Sequence, residues 1–160
     1  MYYSTDYASP IGKILIVSDG EAICGVWFYG QKHFLSSIAG EIIEKDDFPI
    51  FEKAKRWLDD YFNGLNPQVD FKLKPSGSEF RLKVWKILSE IPYGETITYG
   101  EIALKLSKTM SAQAVGGAVG HNPISIIIPC HRVVGADGKA TGYAAGIDKK
   151  IKLLEIESDN

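Results

Sequence analysis

The stretch 126–135, IIIPCHRVVG, places a cysteine directly before a histidine and an arginine. A cysteine thiolate is a strong nucleophile, and neighbouring cationic side chains favour it by lowering the thiol pKa from about 8.5. The order Cys130, His131, Arg132 therefore predicts an activated thiol in an electropositive setting. A free cysteine can also simply fill space in a core, and that interpretation suits Cys24, which lies inside a β-rich run.

The isoleucines before Cys130 predict a buried strand that follows an Asn-Pro turn. Pro129 cannot donate to a sheet ladder, so we expect the pairing to stop there and the thiol to lie on the rim. Adjacent residues on a strand point to opposite faces, so His131 is expected to reach the thiol through a bridging water.

The whole chain has 160 residues, 45% of them hydrophobic and 24% charged, which fits one large or two small globular domains. No apolar run is long enough to span a bilayer, and the first residues do not resemble a signal peptide, so we expect no membrane contact and a cytoplasmic location. Residues 1–75 hold 8 Lys/Arg and 11 Asp/Glu, whereas residues 76–150 hold 9 and 6. The second half is therefore the better candidate to bind an anion.

The first half reads as a small sheet with a helix. The runs IGKILIV and ICGVWF, separated by the turn-like SDGEA, predict an antiparallel hairpin. Apolar residues recur on one stripe over 50–62, which predicts a helix that packs on the sheet and ends before Gly64. Turn-forming residues over 64–78 indicate a connection between an N-terminal domain, 1–75, and a C-terminal domain, 76–160.

The second half reads mainly as helices, which gives an α+β fold class. Ser78 is predicted to cap a helix that ends before Pro92. Thr98 and Glu101 have the spacing of a capping box at the start of a short helix, and a second short helix begins near Ser111. Two short helices joined by a tight turn predict a helix-turn-helix, which serves either DNA binding or packing.

The second of these short helices contains Gly116, Gly117 and Gly120. Each glycine weakens a helix by about 1 kcal/mol relative to alanine, so a reason for their presence is needed. Close approach of DNA to the helix backbone is one explanation. Tight packing against the neighbouring helix is the other, and the sequence leaves both open.

The motif PCHRV resembles the active-site signature of the O6-alkylguanine-DNA alkyltransferases, also called methylated-DNA–protein-cysteine methyltransferases. The segments GSEFRLKVW, IPYGETITYGEIA, AVGGAVGHNPI, GYAAG and KLLEIE resemble the same family in the same order, over about residues 76–157. SPIGKILI and the helix ending in DDYFNG are similar to its more variable first domain. The resemblance implies a small N-terminal antiparallel sheet domain, ribonuclease H-like, and a mainly helical C-terminal domain with a helix-turn-helix.

The resemblance also implies direct-reversal DNA repair. Members of the family bind duplex DNA, rotate the damaged nucleotide out of the stack, and move the alkyl group of O6-alkylguanine, and of O4-alkylthymine, onto a cysteine. The product is a thioether that is not readily hydrolysed, so each molecule acts once. Neither a metal nor an organic cofactor is expected, and the protein is expected to be a monomer.

In the family's pattern, Cys130 corresponds to the nucleophile, His131 to the base that acts through water, and Glu157 to the carboxylate that holds this histidine. Glu157 ends a predicted helix whose Ile151 and Leu154 should face inward. Asn122 corresponds to the amide that holds the recognition helix and the cysteine segment in register. Tyr99 corresponds to the residue that swings the nucleotide out and donates a proton toward the guanine.

Further residues correspond to the family's contacts with DNA and the flipped base, namely Gln113, Ala114, Gly116, Gly117, Pro129, Arg132, Tyr143 and Ala144. Arg132 is expected to be structural rather than catalytic. Gln113 stands where many relatives carry arginine, so we expect weaker and less salt-sensitive DNA binding. Ala144 stands where some relatives carry a serine, which leaves backbone N–H groups to bind the guanine oxygen.

Two other functions are compatible with the residues. A Cys/His/Glu hydrolase would use the same groups for acyl transfer and would turn over repeatedly. A non-catalytic binder of alkylated DNA would keep the fold with an inert Cys130. The first domain shows no metal-ligand set, and His33 is expected to be an isolated surface histidine.

Overall fold

The computed structural model describes residues 1–158 of the chain. The first half forms a four-stranded sheet whose strands are β1 (Tyr2–Ser9), β2 (Gly12–Ser18), β3 (Ile23–Phe28) and β4 (Ile42–Glu44). The strand order is β3-β2-β1-β4. The predicted β2–β3 hairpin is confirmed, but the sheet is mixed rather than antiparallel, because β4 pairs with β1 in the parallel direction. The long connection between β3 and β4 lets the chain return in the same direction as β1.

The predicted helix of the first half is α1 (Pro49–Phe62), and it packs on β1, β2 and β3. The predicted stripe is buried at Phe51, Ala54, Leu58 and Tyr61 and half-buried at Phe62. Ile50 and Trp57 are buried in addition. Tyr61, near the end of this helix, is 1% exposed. The helix therefore delivers a tyrosine hydroxyl into the interior, where such a group normally requires a hydrogen-bond partner.

The second half contains helices and one minimal pair of strands. The elements are α2 (Glu79–Ser89), β5 (Ile97–Thr98), α3 (Tyr99–Leu106), α4 (Ala112–Gly120), a 3-10 helix (Cys130–Arg132), β6 (Val133–Val134) and α5 (Ile147–Ser158). Ser78 caps α2, and the capping box of Thr98 and Glu101 starts α3 as predicted. α3 packs against α4, so the predicted helix-turn-helix is present. Within residues 1–158, no helix is both long and apolar enough to cross a membrane.

The predicted buried strand before Cys130 is wrong. Only Ile124 forms a bridge, to Val26 at the free edge of the first sheet, and the chain then turns. Main-chain hydrogen bonds within the segment, such as Ile128 N–H to Ile124 O, replace a ladder, and Ile126 has a φ of 70°. A buried turn requires apolar side chains just as a buried strand does. The run of isoleucines alone therefore could not distinguish the two.

The two halves share one hydrophobic core that includes residues of the sheet, α1, α2, the helix-turn-helix and the isoleucine segment. The predicted inward face of α5 is wrong, because Ile151 is 40% exposed. The buried residues of α5 are Lys150, Leu153 and Glu157, which follow one another around a single helical face. The inward face of α5 thus contains two polar side chains, Lys150 and Glu157, beside Leu153.

Candidate active site

A cavity of about 390 Å³ opens between the helix-turn-helix and the segment that follows Gly135. Its volume lies within the range of about 300–1,000 Å³ that is usual for pockets binding small molecules. Most of the predicted contact residues line it, namely Tyr99, Gly116, Gly117, Asn122, Cys130, Tyr143 and Ala144. Gln113 and Ala114 lie instead on the exposed surface of α4, and Pro129 is buried and does not line the cavity.

Cys130 is the first residue of the 3-10 helix and lines the cavity with only 5% of its surface exposed. Burial raises the pKa of the Cys130 thiol, and the surrounding groups that lower it do not cancel this effect. Those groups are Asn122, Lys150 and Tyr143. The expectation of a thiol on a strand rim with a lowered pKa is therefore wrong, because the thiol is buried and its pKa is raised.

His131 is fully buried, and its Nε2 lies 2.5 Å from Oε2 of Glu157. A carboxylate only accepts hydrogen bonds, so we assign the imidazole proton to Nε2. Nδ1 has no hydrogen-bond partner within residues 1–158 and keeps its lone pair. Burial lowers the pKa of His131, even though Glu157 acts in the opposite direction. The imidazole is thus neutral near pH 7, with one nitrogen available to accept a proton.

Glu157 is 3% exposed and accepts hydrogen bonds on both oxygens. Tyr61 donates to Oε2 at 2.7 Å, Nε of Arg132 donates to Oε1 at 2.8 Å, and the backbone N–H of Gly94 donates to Oε1 at 3.0 Å. Burial alone raises the pKa of Glu157, but the hydrogen bonds from His131, Arg132 and Tyr61 lower it to about 2. The carboxylate is therefore ionised at neutral pH and holds His131 by a charge-assisted bond.

Arg132 does not line the cavity. Its guanidinium bonds to both oxygens of Glu157 and donates to the carbonyl of Ile91 at 2.6 Å. It also lies over the ring of Tyr93, 5.6 Å from the centroid. These contacts support the structural role predicted for Arg132.

Tyr61 is a site residue that the sequence did not reveal. Its hydroxyl bonds to Glu157 and lies 3.3 Å from Nε2 of His131. On the sequence it is one more apolar position on the stripe of α1, so periodicity assigned it to the core. One chemical argument could have identified it: a tyrosine predicted to be fully buried needs a hydrogen-bond partner for its hydroxyl.

Asn122 connects the end of α4 to the isoleucine segment. Its side-chain amide donates to the carbonyl of Ile128 at 2.8 Å, and its side-chain oxygen accepts from the N–H of Ile124 at 3.0 Å. Asn122 is only 3% exposed. These bonds fix the turn that leads to Cys130 relative to the helix-turn-helix, as expected from the sequence.

Two tyrosines define the polar side of the cavity. The hydroxyl of Tyr99 shares a hydrogen bond of 3.2 Å with Thr141. The hydroxyl of Tyr143 is buried beside Cys130 and Ser125 without a hydrogen bond of ordinary geometry within residues 1–158. Burial raises the pKa of Tyr143 well above its ordinary value, so this hydroxyl stays protonated as a donor.

His33 is a surface residue as expected, but it is not isolated. Its ring stacks on that of His121 with centroids 3.7 Å apart, and both residues line the cavity. The backbone N–H of Lys32 donates to the carbonyl of Ala144 at 3.0 Å. The loop after β3 therefore forms part of the cavity wall. The sequence did not predict this, because the loop is far along the chain from the other residues of the cavity.

The glycines of α4 are not explained by helix packing. An added Cβ on Gly117 or Gly120 would meet no atom within 4 Å, and one on Gly116 would touch the ring of Tyr99 at an ordinary 3.8 Å. All three glycines line the cavity. The structure therefore favours the alternative in which the bare backbone leaves room for a ligand.

We expect Gly117→Ala to make the fold more stable and to make the reaction in the cavity slower. Alanine in a helix interior should raise the free energy of unfolding by about 0.5–1 kcal/mol, while its methyl group narrows the cavity and should slow the reaction there severalfold. Urea denaturation measures the first effect, and the single-turnover alkyl transfer that the family resemblance implies measures the second. Ser89→Ala, at an exposed position of α2 outside the cavity, is the control that should leave transfer unchanged. Wild-type transfer by the Gly117→Ala variant would contradict a ligand-contacting role.

Family models match both halves of the chain. The model described as "6-O-methylguanine DNA methyltransferase, ribonuclease-like domain" matches residues 1–75. The model described as "6-O-methylguanine DNA methyltransferase, DNA binding domain" matches residues 79–159. The chain belongs to the methylated-DNA–protein-cysteine methyltransferase family. The family predicted from the PCHRV motif and its companions is thus confirmed.

Individual relatives agree with this assignment. The methylated-DNA–protein-cysteine methyltransferase of Methanosarcina acetivorans is 47% identical over 157 residues, which are 98% of each chain. The O6-methylguanine methyltransferase of Mycobacterium tuberculosis is 40% identical with a TM-score of 0.88, over 99% of this chain and 94% of that one. A structure of the M. tuberculosis protein OGT in complex with DNA has a TM-score of 0.86 at 41% identity, over 99% and 92% of the two chains. These structures also confirm the α+β fold class.

Proposed function

We propose that this protein repairs alkylated DNA by moving the alkyl group of O6-alkylguanine, and of O4-alkylthymine, onto Cys130. The observation that carries the proposal is the cavity, which is lined by the glycines of α4 and by Cys130. The residue after Cys130 is His131, which is buried and bonded to Glu157. The similarity to an M. tuberculosis protein solved with DNA supports the same function.

Duplex DNA binds on the outer surface of the helix-turn-helix. A thiol with 5% of its surface exposed inside a cavity cannot reach a base in the helical stack, so the damaged nucleotide must rotate out. The bare backbone at Gly116 and Gly117 admits it to the cavity. Gln113 and Ala114, exposed on α4, are placed to contact the DNA and the gap that the base leaves.

Transfer begins when Cys130 loses its proton. The proton passes through a water molecule to Nδ1 of His131, and Glu157 stabilises the resulting imidazolium through Nε2. The thiolate then attacks the alkyl carbon as the bond between that carbon and O6 breaks. The electrons of this bond go to the guanine, and the sulfur becomes a neutral thioether.

The departing guanine must receive a proton and hydrogen bonds. Tyr99 supplies the proton from the cavity wall, and the hydroxyl of Tyr143 offers a donor that lacks an ordinary partner in the free protein. Main-chain N–H groups beside Ala144 take the place of the side-chain hydroxyl that a serine would provide.

The two halves have different tasks. Residues 76–160 bind DNA and carry the nucleophile, whereas residues 1–75 support that domain and contribute Tyr61 to the carboxylate of Glu157. Displacement of guanine by a thiolate is redox-neutral, so the step needs no oxidant or reductant. The protein acts as a monomer in the cytoplasm.

The amount of product tests this function. We expect the protein, mixed with excess duplex containing O6-methylguanine, to remove one methyl group per molecule and then to stop, because a thioether is not hydrolysed. Chromatography of the digested DNA counts the guanine restored. Continued turnover would contradict the proposal and favour a hydrolase, and tight binding with no transfer would favour a non-catalytic lesion binder.

A further inference from the structure

Tyr61 brings a side chain of the first domain into contact with the carboxylate that holds His131. Its hydroxyl donates to Oε2 of Glu157 at 2.7 Å and lies 3.3 Å from Nε2 of His131. Nε2 of His131 lies 2.5 Å from the same carboxylate oxygen. The phenol, the imidazole and the carboxylate thus form a triangle of three mutual contacts. Proton transfer to His131 requires only the imidazole and the carboxylate, so the phenol needs a separate explanation.

The aromatic ring of Tyr61 explains its packing but not its hydroxyl. The ring stacks on Trp57 with centroids 5.5 Å apart, and it meets the rings of Phe62 and Tyr93 edge-on. A phenylalanine would make the same three contacts. A hydroxyl on a residue that is 1% exposed has lost its hydrogen bonds to water, and only bonds inside the protein compensate for that loss. The hydroxyl therefore serves the polar groups around it.

Tyr61 and His131 donate to the same oxygen of Glu157. The phenol carries one proton, and the 2.7 Å bond to Oε2 takes it in preference to the carbonyl of Leu153 at 3.5 Å. A carboxylate oxygen has two lone pairs, and these two donors occupy both. Arg132 bonds mainly to the other oxygen, with Nε at 2.8 Å from Oε1 and Nη2 at 3.2 Å from Oε2. Each donor draws electron density from the oxygen it contacts, so Tyr61 weakens Oε2 as an acceptor for His131.

We propose that the hydroxyl of Tyr61 limits the basicity of His131 by sharing the carboxylate oxygen that holds it. The inference rests on the proposed function, in which His131 accepts the proton of Cys130 and must therefore be neutral beforehand. A carboxylate without the second donor would favour the imidazolium more strongly. Tyr61 is a positioning residue, because it acts through Glu157 and does not line the cavity.

The same bond matters after His131 has accepted the proton. The imidazolium then donates from Nε2 across 2.5 Å to Glu157, and the donor from Tyr61 stabilises the ionised form of that carboxylate. The proton therefore stays on Nε2, and Glu157 remains the counter-charge of Arg132.

The electrostatics of the site agree with this role. Burial raises the pKa of Glu157, but the hydrogen bonds from His131, Arg132 and Tyr61 lower it to about 2. Burial lowers the pKa of His131, and Glu157 acts in the opposite direction. The other titratable or charged side chains around these groups are Tyr93, Cys130, Tyr143 and Lys150. Removal of one hydroxyl leaves all of them in place.

Tyr61→Phe tests the proposal, because it removes the hydroxyl and keeps the ring. We expect the pKa of His131 to rise by about one unit, which is a tenfold change in its affinity for a proton. The Nε2–H proton of His131 should move downfield, since its bond to Glu157 strengthens. NMR of the nitrogen-15-labelled protein measures both effects without DNA, and His131→Gln assigns the signals by their absence. The acid limb of methyl transfer should move to higher pH by the same amount.

Tyr7→Phe is the matched control. Tyr7 also donates to a carboxylate, that of Asp59 in α1, at 2.6 Å, but in an exposed position. Its loss should leave the NMR signals of His131 and the pH profile of transfer unchanged. Incorporation of 3-fluorotyrosine at position 61 makes the opposite change, because fluorine makes the phenol a stronger donor. The Nε2–H proton should then move upfield.

A Nε2–H signal that stays in place or moves upfield in Tyr61→Phe overturns the proposal, even where methyl transfer is slower. If Tyr61→Phe does not fold, the protein with 3-fluorotyrosine decides, since an upfield shift supports the proposal and any other result overturns it. A wild type that transfers no methyl group, while the Nε2–H signal responds as expected, contradicts the proposed function and leaves the effect of Tyr61 on His131 established.

Discussion

We expect the Cys130→Ser variant to bind duplex DNA containing O6-methylguanine as the wild type does and to transfer no methyl group. Serine has nearly the shape of cysteine, so the cavity and the helix-turn-helix should be preserved. Its hydroxyl ionises far less readily than a thiol, and His131 alone does not make it an equivalent nucleophile. The rate should fall by at least about 10⁴-fold, which a gel assay of the methylated duplex can measure.

Cys24→Ser is the matched control for this variant. Cys24 is as buried as Cys130, with 5% of its surface exposed, but it lies in β3 and its thiol donates only weakly, to the carbonyl of Ala22 at 3.7 Å. The same chemical change at this position should leave transfer at the wild-type rate. Loss of transfer in Cys24→Ser but not in Cys130→Ser would contradict the assignment of the nucleophile.

The second large effect is expected for Glu157→Gln. The amide keeps the size of the side chain but removes the charge that stabilises protonated His131, so transfer should slow by at least about 10²-fold. Arg132 is left buried without its counter-charge, which should lower the free energy of unfolding by about 3 to 5 kcal/mol. Single-turnover transfer and urea denaturation at pH 7 measure the two losses.

Glu155→Gln removes an equal charge from the same helix at an exposed position and should change neither quantity. A Glu157→Gln variant with wild-type transfer would show that His131 does not depend on the carboxylate. A large loss of stability without a loss of rate would assign Glu157 a structural role only.

The pH dependence of stability gives an independent check on Glu157. Its pKa is about 2 in the folded protein, against an ordinary value of 4.5. The unfolded chain therefore binds more protons between these values, so the stabilisation is complete above about pH 4.5 and is lost as the pH falls toward 2. The wild type should lose stability over this range more steeply than Glu157→Gln. Parallel curves would contradict the lowered pKa.

Local signals in the sequence predicted several elements because those elements depend on local chemistry. The capping box at Thr98 and Glu101, the cap at Ser78 and the hairpin of β2 and β3 each arise from short-range hydrogen bonds or turn residues, and the structure contains all of them. The PCHRV motif likewise identified Cys130 and its neighbour, since the chemistry requires those residue types in the same short segment.

The sequence did not predict contacts that join distant parts of the chain. The edge of β3 bonds to the segment before Cys130, which converts an apparent strand into a buried turn. Tyr61 reaches Glu157 across 96 positions, and His33 stacks on His121 across the cavity. Periodicity within a single helix contains no information about which partner its buried polar groups will meet.

Burial explains why the electrostatic expectation for Cys130 was wrong. Adjacent cationic residues in the sequence suggested a lowered thiol pKa, but Arg132 is paired with Glu157 and His131 is neutral. The structure instead leaves a thiol whose pKa burial raises, so the proposed transfer requires that its proton be removed before it reacts. Adjacency in the sequence therefore predicted the wrong direction for the pKa of Cys130, and the catalytic roles of Cys130 and His131 stay a prediction.

The most direct test of the central claim is peptide mass analysis of the reduced protein after incubation with duplex DNA that contains O6-methylguanine. The account predicts one methyl group, located on the sulfur of Cys130, with Cys24 unmodified and the guanine restored in equal amount. A methyl group on another residue, or restored guanine with an unmodified Cys130, would contradict it.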